Sequence, residues 1–372
     1  MKEKDLFDKC FKQKGGHFDY TTLVQPKIFE FLLNGCRNDI KSIRTDNPNL
    51  PEVYFDFIKN TSLNACASKM DGKYFIGINI GTYFLISDLF FRMLATKTIL
   101  PEYGDISNED DVKKIFNAQI TDTNILYVAK DPHEKVAPKG IVRHHLAQLL
   151  TSFAIKFLVM HEYGHIIYGH VDYLENKTKN CYWSEIAETN NDNKLDSLFS
   201  QTLEMDADCY GINIGITQLI SYSENINKIK EELNKFYSPL ESSLSLWFFS
   251  IYSLFRLFGY HNRDIEKMKV THHPQSGIRQ HIVFASTHTI FQSKPHYKEL
   301  LEKIPRLALK TIQTVEKAFE EISMQGYDSK AIKIAYERES QDHVLFLMRN
   351  WNNVRPKLEK FAKGNLKPIY VE

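Results

Sequence analysis

The apolar positions of this chain follow one period in its first third and another elsewhere. Residues 52–58 alternate apolar and polar side chains, and two similar runs within residues 63–81 flank Asp71-Gly72, so three strands with one hairpin are predicted. Outside this part, apolar residues recur every three to four positions, which indicates helices. These helices are predicted over residues 26–43, 83–96, 141–169, 194–220 and 240–260, and in several segments after residue 274.

The polar stretches between these elements indicate how the chain is organised. Residues 101–140 are rich in turn-forming side chains, with a short helix predicted over 110–117, and we interpret them as an insertion. Residues 172–193 are polar and rich in asparagine, which indicates a mobile loop. The pattern predicts an α+β, mostly α fold with a small antiparallel sheet. We divide it into an N-terminal helical extension (1–50), a central domain (51–290) and a C-terminal helical region (291–372).

Composition and charge argue against several classes of function. The chain has 47 Lys and Arg against 46 Asp and Glu, and a net charge of +1 gives no overall attraction to nucleic acid or to an anionic membrane. Five scattered cysteines without a C-x-x-C pair argue against a disulfide framework, so a cytoplasmic location is expected. Residues 244–260 are almost continuously apolar, but three serines and Arg256 favour a buried core helix over a membrane span.

The strongest chemical signal is an H-E-x-x-H motif at residues 161–165, inside the helix predicted over 141–169. Four residues make slightly more than one helical turn, so His161 and His165 lie on one face and can bind one metal ion. Glu162 lies about 100° further round the helix, toward the water that such an ion would bind, and can act as its general base. The alternative is a helix whose histidines are satisfied within the core.

The third metal ligand has to come from another part of the chain. His170 lies about 140° around the helix from His165, so it cannot share the ion while the helix continues. We expect it to face a carbonyl or a carboxylate at the helix end. His144 and His145 lie too far along the helix to reach the ion, and a structural role is expected for both.

Glu204 is the best candidate for this third ligand. It follows His165 by 39 residues in a second predicted helix, and it would complete a zinc site of two histidines and one glutamate. Asp208, one turn later on the same face, can accept the free ring N–H of a ligand histidine and so fix its tautomer. The alternative is an ordinary acidic face formed by Glu204, Asp206 and Asp208. Cys209 points away from the metal and is expected to be a small core residue.

These motifs resemble those of a family of peptidases. H-E-x-x-H followed by E-x-x-A-D at residues 204–208 resembles the gluzincin pattern of the CAAX-prenyl-endopeptidase and heat-shock membrane protease family, and more closely that of the soluble Lit-type phage-exclusion peptidases. Residues 271–279, with the sequence THHPQSGIR, are similar to the family's T-H-P-x4-R element with one extra histidine, His272, for which no role is expected. Residues 64–67 are similar to its N-A-x-A hairpin. No array of membrane helices is predicted, so a prenyl-protein role is not implied.

The resemblance implies a zincin-like, minimal gluzincin core that binds one Zn²⁺ per chain and cuts a protein or an extended peptide. It implies that one edge strand receives the substrate backbone as an added strand. The residues of this strand would be Asn64, Ala65, Cys66 and Ala67.

The resemblance also implies roles for two residues outside the metal site. His273 and Arg279 would face the cleft and either stabilise an oxyanion or orient the helix of Glu204. Alternatively, His273 only precedes a helix-starting proline, and Arg279 forms a salt bridge at the surface. The two interpretations are left open.

The expected function is therefore that of a zinc-dependent endopeptidase with Glu162 as the base that activates metal-bound water. By analogy with the phage-exclusion peptidases, it would serve in antiviral defence by cutting a host protein such as a translation factor. One alternative is a catalytically silent or latent zinc module that binds a partner, although an intact Glu162 favours catalysis. Another is a peptidase attached to a membrane through residues 244–260.

Overall fold

Helices make up most of this molecule, for which a computed structural model describes residues 3–23, 26–109, 115–116, 118–120, 125–127, 136–178, 182–184, 196–258, 271, 273–322 and 337–369. The α-helices in these ranges are α1 (Glu3–Cys10), α2 (Pro26–Asp46), α3 (Ile80–Leu94), α4 (Ile141–Ile167), α5 (His170–Thr178), α6 (Ser197–Glu224), α7 (Glu231–Tyr237), α8 (Leu240–Phe258), α9 (Ser276–Gln292), α10 (Lys298–Ile322) and α11 (Arg338–Leu358). The strands are β1 (Val53–Ile58), β2 (Ala65–Met70), β3 (Lys73–Asn79), β4 (Ala118–Ile120), β5 (Ile125–Tyr127) and β6 (Tyr182–Ser184). The α+β, mostly α class is thereby confirmed.

Four of the strands form one sheet in the order β1-β3-β2-β6. β2 and β3 are the predicted hairpin, and both residues of its turn, Asp71 and Gly72, have positive φ angles of 50° and 75°. β1 runs parallel to β3, so the prediction of a wholly antiparallel sheet is wrong. Residues 59–64 carry the chain across the position that β3 then fills, and β3 therefore lies between β1 and β2.

The fourth strand lies within residues 172–193, for which a mobile loop is predicted. Residues 172–178 belong to α5 instead, and β6 pairs antiparallel with β2, so that Ala67 is opposite Trp183. The loop prediction is wrong for both segments. In β6, the two bulky aromatic side chains favour a strand within a polar stretch. The other residues of that stretch lie outside the described ranges, as does most of the helix predicted over 110–117.

The helix α4 lies at the centre of the molecule and packs against α3, α6 and α8. The long helices are confirmed close to their predicted ends. α8 is a buried core helix, as expected, and the hydroxyl of Ser250 donates a hydrogen bond to the carbonyl of Leu150 in α4 (2.7 Å). Among the described residues, no helix combines the length and apolar character that crossing a bilayer requires.

Two glycines allow α4 and α6 to approach closely. A Cβ added to Gly164 of α4 would lie 3.1 Å from Cβ of Tyr210 and 3.3 Å from Cα of Ala207. In the reverse direction, a Cβ on Gly211 of α6 would lie 3.1 Å from the ring of Phe157. This crossing places the H-E-x-x-H face of α4 directly against the acidic face of α6.

The C-terminal part of the chain belongs to the same core. A single hydrophobic cluster extends from Phe29 in α2 to Leu366 beyond α11. The backbone N–H groups of Lys363 and Gly364 donate to the carbonyl of Ile167 at the end of α4 (2.7 and 2.9 Å). The C-terminal segment therefore supports the helix that carries both histidines of the motif, while the predicted domain boundaries stay a prediction.

Candidate metal centre

Three side chains that the sequence nominates as metal ligands meet at the crossing of α4 and α6. The Nε2 atoms of His161 and His165 are 3.0 Å apart. Nε2 of His161 lies 3.3 Å from Oε2 of Glu204, and Nε2 of His165 lies 3.6 Å from its Oε1. All three side chains are fully buried. A buried cluster of two imidazoles and one carboxylate could hold a metal ion.

The spacing of the donor atoms fits a tetrahedral ion. Bonds of about 2.0–2.1 Å to nitrogen and oxygen place neighbouring ligand atoms about 3.3–3.4 Å apart in a tetrahedron. The separations of 3.0 Å between the two Nε2 atoms and 3.3 Å between Nε2 of His161 and Oε2 of Glu204 lie near that value, and one donor atom from each of the three residues lies within 4.8 Å of the other two.

His161 is held by a carboxylate and an arginine. Its Nδ1 lies 2.8 Å from Oδ1 of Asp208, which is the contact that the sequence predicts. Asp208 in turn accepts two hydrogen bonds from Arg279, from Nε to Oδ2 (2.9 Å) and from Nη2 to Oδ1 (2.7 Å). When the Nδ1–H group of His161 donates this hydrogen bond to Asp208, the lone pair of Nε2 is directed at the cluster.

Arg279 thus contacts the helix of Glu204, in line with one of its two expected roles. The alternative of a surface salt bridge does not describe it, because only 3% of its side chain is exposed. Its guanidinium also lies over the ring of Phe255, 4.3 Å from the centroid.

His165 is held by a different pair of residues, which includes one that sequence reasoning missed. Its Nδ1 lies 2.9 Å from Nδ1 of His170, and Nε2 of His170 lies 3.2 Å from Oδ2 of Asp206. If Nε2 of His170 carries a proton toward Asp206, its Nδ1 is an acceptor for the Nδ1 proton of His165. The lone pair of His165 Nε2 then also faces the cluster. Two such lone pairs 3.0 Å apart repel each other unless a cation or a proton lies between them.

The contact of His170 with His165 follows from the end of α4. The sequence argument assumed a helix that continues to Gly169, whereas α4 ends at Ile167 and Gly169 has a φ of 80°. This left-handed residue redirects the chain, and α5 begins at His170. His170 does face a carboxylate, as expected, but its other ring nitrogen reaches a candidate ligand. The glycine at position 169 was the available signal.

Glu204 has two further neighbours besides the histidines. The indole Nε1 of Trp183 donates a hydrogen bond to its Oε1 (2.7 Å), and Nδ1 of His273 lies 3.1 Å from its Oε2. Burial favours the neutral acid, but the nearby His273 and His165 hold the pKa of Glu204 well below its ordinary value. A lowered pKa favours the ionised carboxylate, which is the form that binds a metal.

Glu162 and the predicted substrate strand lie on the same side of α4. Glu162 is fully buried. Two causes raise the pKa of the Cys66 thiol in β2: first the burial of the thiol, and second the charge of Glu162. β2 does not present a free edge, however. β6 pairs with it from Cys66 to Ser68, so the prediction that residues 64–67 form an open edge is wrong in this structure.

Two other residues of the sequence argument, His144 and Cys209, have hydrogen-bond partners outside the cluster. Nε2 of His144 lies 3.1 Å from the side-chain amide of Gln148, one turn along α4. Sγ of Cys209 lies 3.5 Å from the hydroxyl of Ser286 in α9. His272 is outside the described residues.

Comparison with known proteins identifies no relative. No family model matches the chain, and neither a curated protein nor a solved structure matches it. The resemblance to gluzincin peptidases therefore rests on the motifs alone.

Proposed function

We propose that this protein is a zinc-dependent endopeptidase. The observation that carries the proposal is the buried cluster of His161, His165 and Glu204, whose two imidazoles both have their Nδ1 atoms occupied by other side chains. Two nitrogens and one carboxylate oxygen are the ligand set of many catalytic zinc sites, which keep a fourth position for water or substrate. A purely structural zinc site fills all four positions with protein ligands.

Each residue of the site has a role in this proposal. Zn²⁺ bound by the cluster would act as a Lewis acid that acidifies water and polarises the scissile carbonyl. Glu162 takes the proton of the attacking water and returns it to the leaving amine. His273, 22% exposed beside Glu204, can donate a hydrogen bond to the oxyanion that develops on the substrate. Asp208 and His170 hold the two ligand histidines in the required tautomers.

The substrate class follows from the neighbouring sheet. β2 lies beside α4, and backbone pairing along the edge of β2 that β6 occupies in this structure would recognise an extended chain without requiring a particular sequence. A protein or peptide in an extended conformation is therefore the proposed substrate. A defence role through cleavage of a host protein stays an expectation from the motif resemblance.

The test is a comparison of wild type with Glu162→Gln, an amide of the same shape that cannot accept the proton. The amount of cleavage fragments in cells that express each protein is measured by N-terminal proteomics. We expect it to be about 10²–10⁴-fold lower for the variant than for wild type. Glu224→Gln, at the exposed end of α6, is the control and should match wild type. Identical fragment profiles for wild type and Glu162→Gln would favour the alternative of a zinc module without catalysis.

A further inference from the structure

Three residues of this chain occupy the place that an extended substrate would take. β6 runs antiparallel to β2, with Ser184 opposite Cys66, Trp183 opposite Ala67 and Tyr182 opposite Ser68. β3 takes the other side of β2, so β6 fills the remaining edge of β2, where its Trp183 contacts His165 and Glu204 of the metal cluster. A strand added to this sheet by a substrate would need the same backbone groups of β2.

The side chains of β6 hold it in register on one face of the sheet. The hydroxyl of Ser184 donates to Oδ1 of Asn64 (3.0 Å). Tyr182 lies beneath the ammonium group of Lys14, which is 4.1 Å from the ring centroid, and its ring also contacts Phe11. These contacts lie on the face of the sheet that packs against α1, away from the metal cluster.

On the other face, Trp183 lies directly against the candidate metal ligands. Its indole stacks on the imidazole of His165, with ring centroids 4.9 Å apart and an angle of 28° between the planes. Its Nε1 donates to Oε1 of Glu204 (2.7 Å), and only 7% of the residue is exposed. An indole in this position covers two of the three candidate ligands.

We propose that β6 is a built-in inhibitory strand, and that the site becomes active only when an extended peptide replaces β6 along β2. This inference rests on the proposed peptidase function. A three-residue strand makes few backbone hydrogen bonds, so a longer substrate strand can exchange for it. The competing interpretation is that Trp183 forms a permanent wall of the substrate site.

The first test removes the indole. Trp183→Ala should cleave unfolded β-casein at least about 10-fold faster than wild type, because the substrate no longer competes with the indole. Acetohydroxamate, a small zinc ligand, should bind the zinc-loaded variant at least about 10-fold more tightly in calorimetry. Slower cleavage or weaker hydroxamate binding at unchanged zinc content would show that Trp183 is a wall of the site, and would overturn the proposal.

The second test locks the strand without touching the metal face. Ser184 lies directly opposite Cys66 in the antiparallel pair, so Ser184→Cys is expected to crosslink β6 to β2 on oxidation, which mass spectrometry of the oxidised variant checks. In the double variant Trp183→Ala/Ser184→Cys, oxidation should remove the gain in casein cleavage, and dithiothreitol should restore it. Because one protein is compared in two redox states, a folding defect cannot account for the difference. Equal rates in both states would overturn the proposal.

The two proposals fail in distinguishable ways. If wild type and every variant bind zinc but leave casein intact, the peptidase function fails, and the inhibition with it. If the reduced double variant cleaves casein in a Glu162-dependent manner and the oxidised form does so equally well, only the inhibitory role of β6 fails. Oxidised wild type, which retains Cys66 and Ser184, is the control for effects of the oxidant.

Discussion

Two buried arginine–carboxylate pairs in this molecule look alike but connect to different surroundings. In one, Arg279 of α9 donates two hydrogen bonds to Asp208 of α6, at 2.9 and 2.7 Å. In the other, Arg256 of α8 donates from Nε to Oε1 of Glu316 in α10, also at 2.9 Å. The four side chains are at most 3% exposed.

The difference lies in the third group that each carboxylate contacts. Oδ1 of Asp208 lies 2.8 Å from Nδ1 of His161, a candidate metal ligand, whereas Oε1 of Glu316 accepts from the hydroxyl of Tyr252 (2.8 Å). Replacing a buried ion pair by well-packed apolar side chains is often neutral or stabilising, so burial of a pair does not explain its presence. The group that each pair orients is more informative. The first pair orients the imidazole of a candidate metal ligand, and the second orients a tyrosine in the core.

The largest effect should come from breaking the first pair and comparing it with the second. Asp208→Asn should weaken zinc binding about 10–100-fold, because a neutral amide raises the basicity of the His161 imidazole much less than a carboxylate does. Glu316→Gln should leave zinc affinity unchanged. Both variants leave a buried arginine without its charged partner, so each should lose about 3–5 kcal/mol of unfolding free energy.

The measurements are competition with a zinc chelator at a temperature where both variants are folded, and denaturant unfolding of the metal-free proteins. An equal loss of zinc affinity in Glu316→Gln would mean that zinc affinity depends only on the overall stability of the protein. The two arginine–carboxylate pairs would then not differ in their effect on the metal site.

A smaller effect is expected on the opposite side of the cluster, where His165 rests on His170 and Asp206. His170→Ala removes the acceptor for the Nδ1 proton of His165. Zinc affinity should fall about 10-fold, which is the lower end of the range for residues that contact a metal ligand without binding the metal. His170→Gln supplies an amide oxygen as acceptor and should recover part of the loss. The matched control is His144→Ala, a histidine near the other end of α4, which contacts Gln148.

Chelator competition again provides the readout, now with the three histidine variants side by side. Zinc affinity of His170→Ala equal to that of His144→Ala would show that the contact at 2.9 Å does not orient His165. A loss without any recovery in His170→Gln would point to lost packing instead of a lost hydrogen bond.

The parts of the site that follow from local spacing could be predicted from the sequence. His161 and His165 share a helix face because four residues make about one turn, and Glu204 and Asp208 repeat that spacing on α6. The meeting of these two faces was a hypothesis supported by motif resemblance. Gly164 and Gly211 make it sterically possible, since side chains there would hold the helices apart.

The parts that depend on pairing between distant segments could not be predicted in the same way. β6 is three residues long and lies 114 or more positions from its partners in β2, beyond the reach of any local period. The parallel alignment of β1 with β3 likewise depends on the path of the chain, and alternation of side chains does not report it. His170 was misplaced because its position depends on the left-handed conformation of one glycine.

The central claim is that His161, His165 and Glu204 together hold a catalytic zinc ion, and metal analysis after dialysis tests it most directly. Wild type and Glu162→Gln should each retain about one zinc per chain, because Glu162 is proposed as a base and not as a ligand. His165→Ala should retain less than about a tenth of that amount while its circular dichroism shows a folded protein. A folded His165→Ala with one zinc per chain, or a wild type that binds none, would contradict the account.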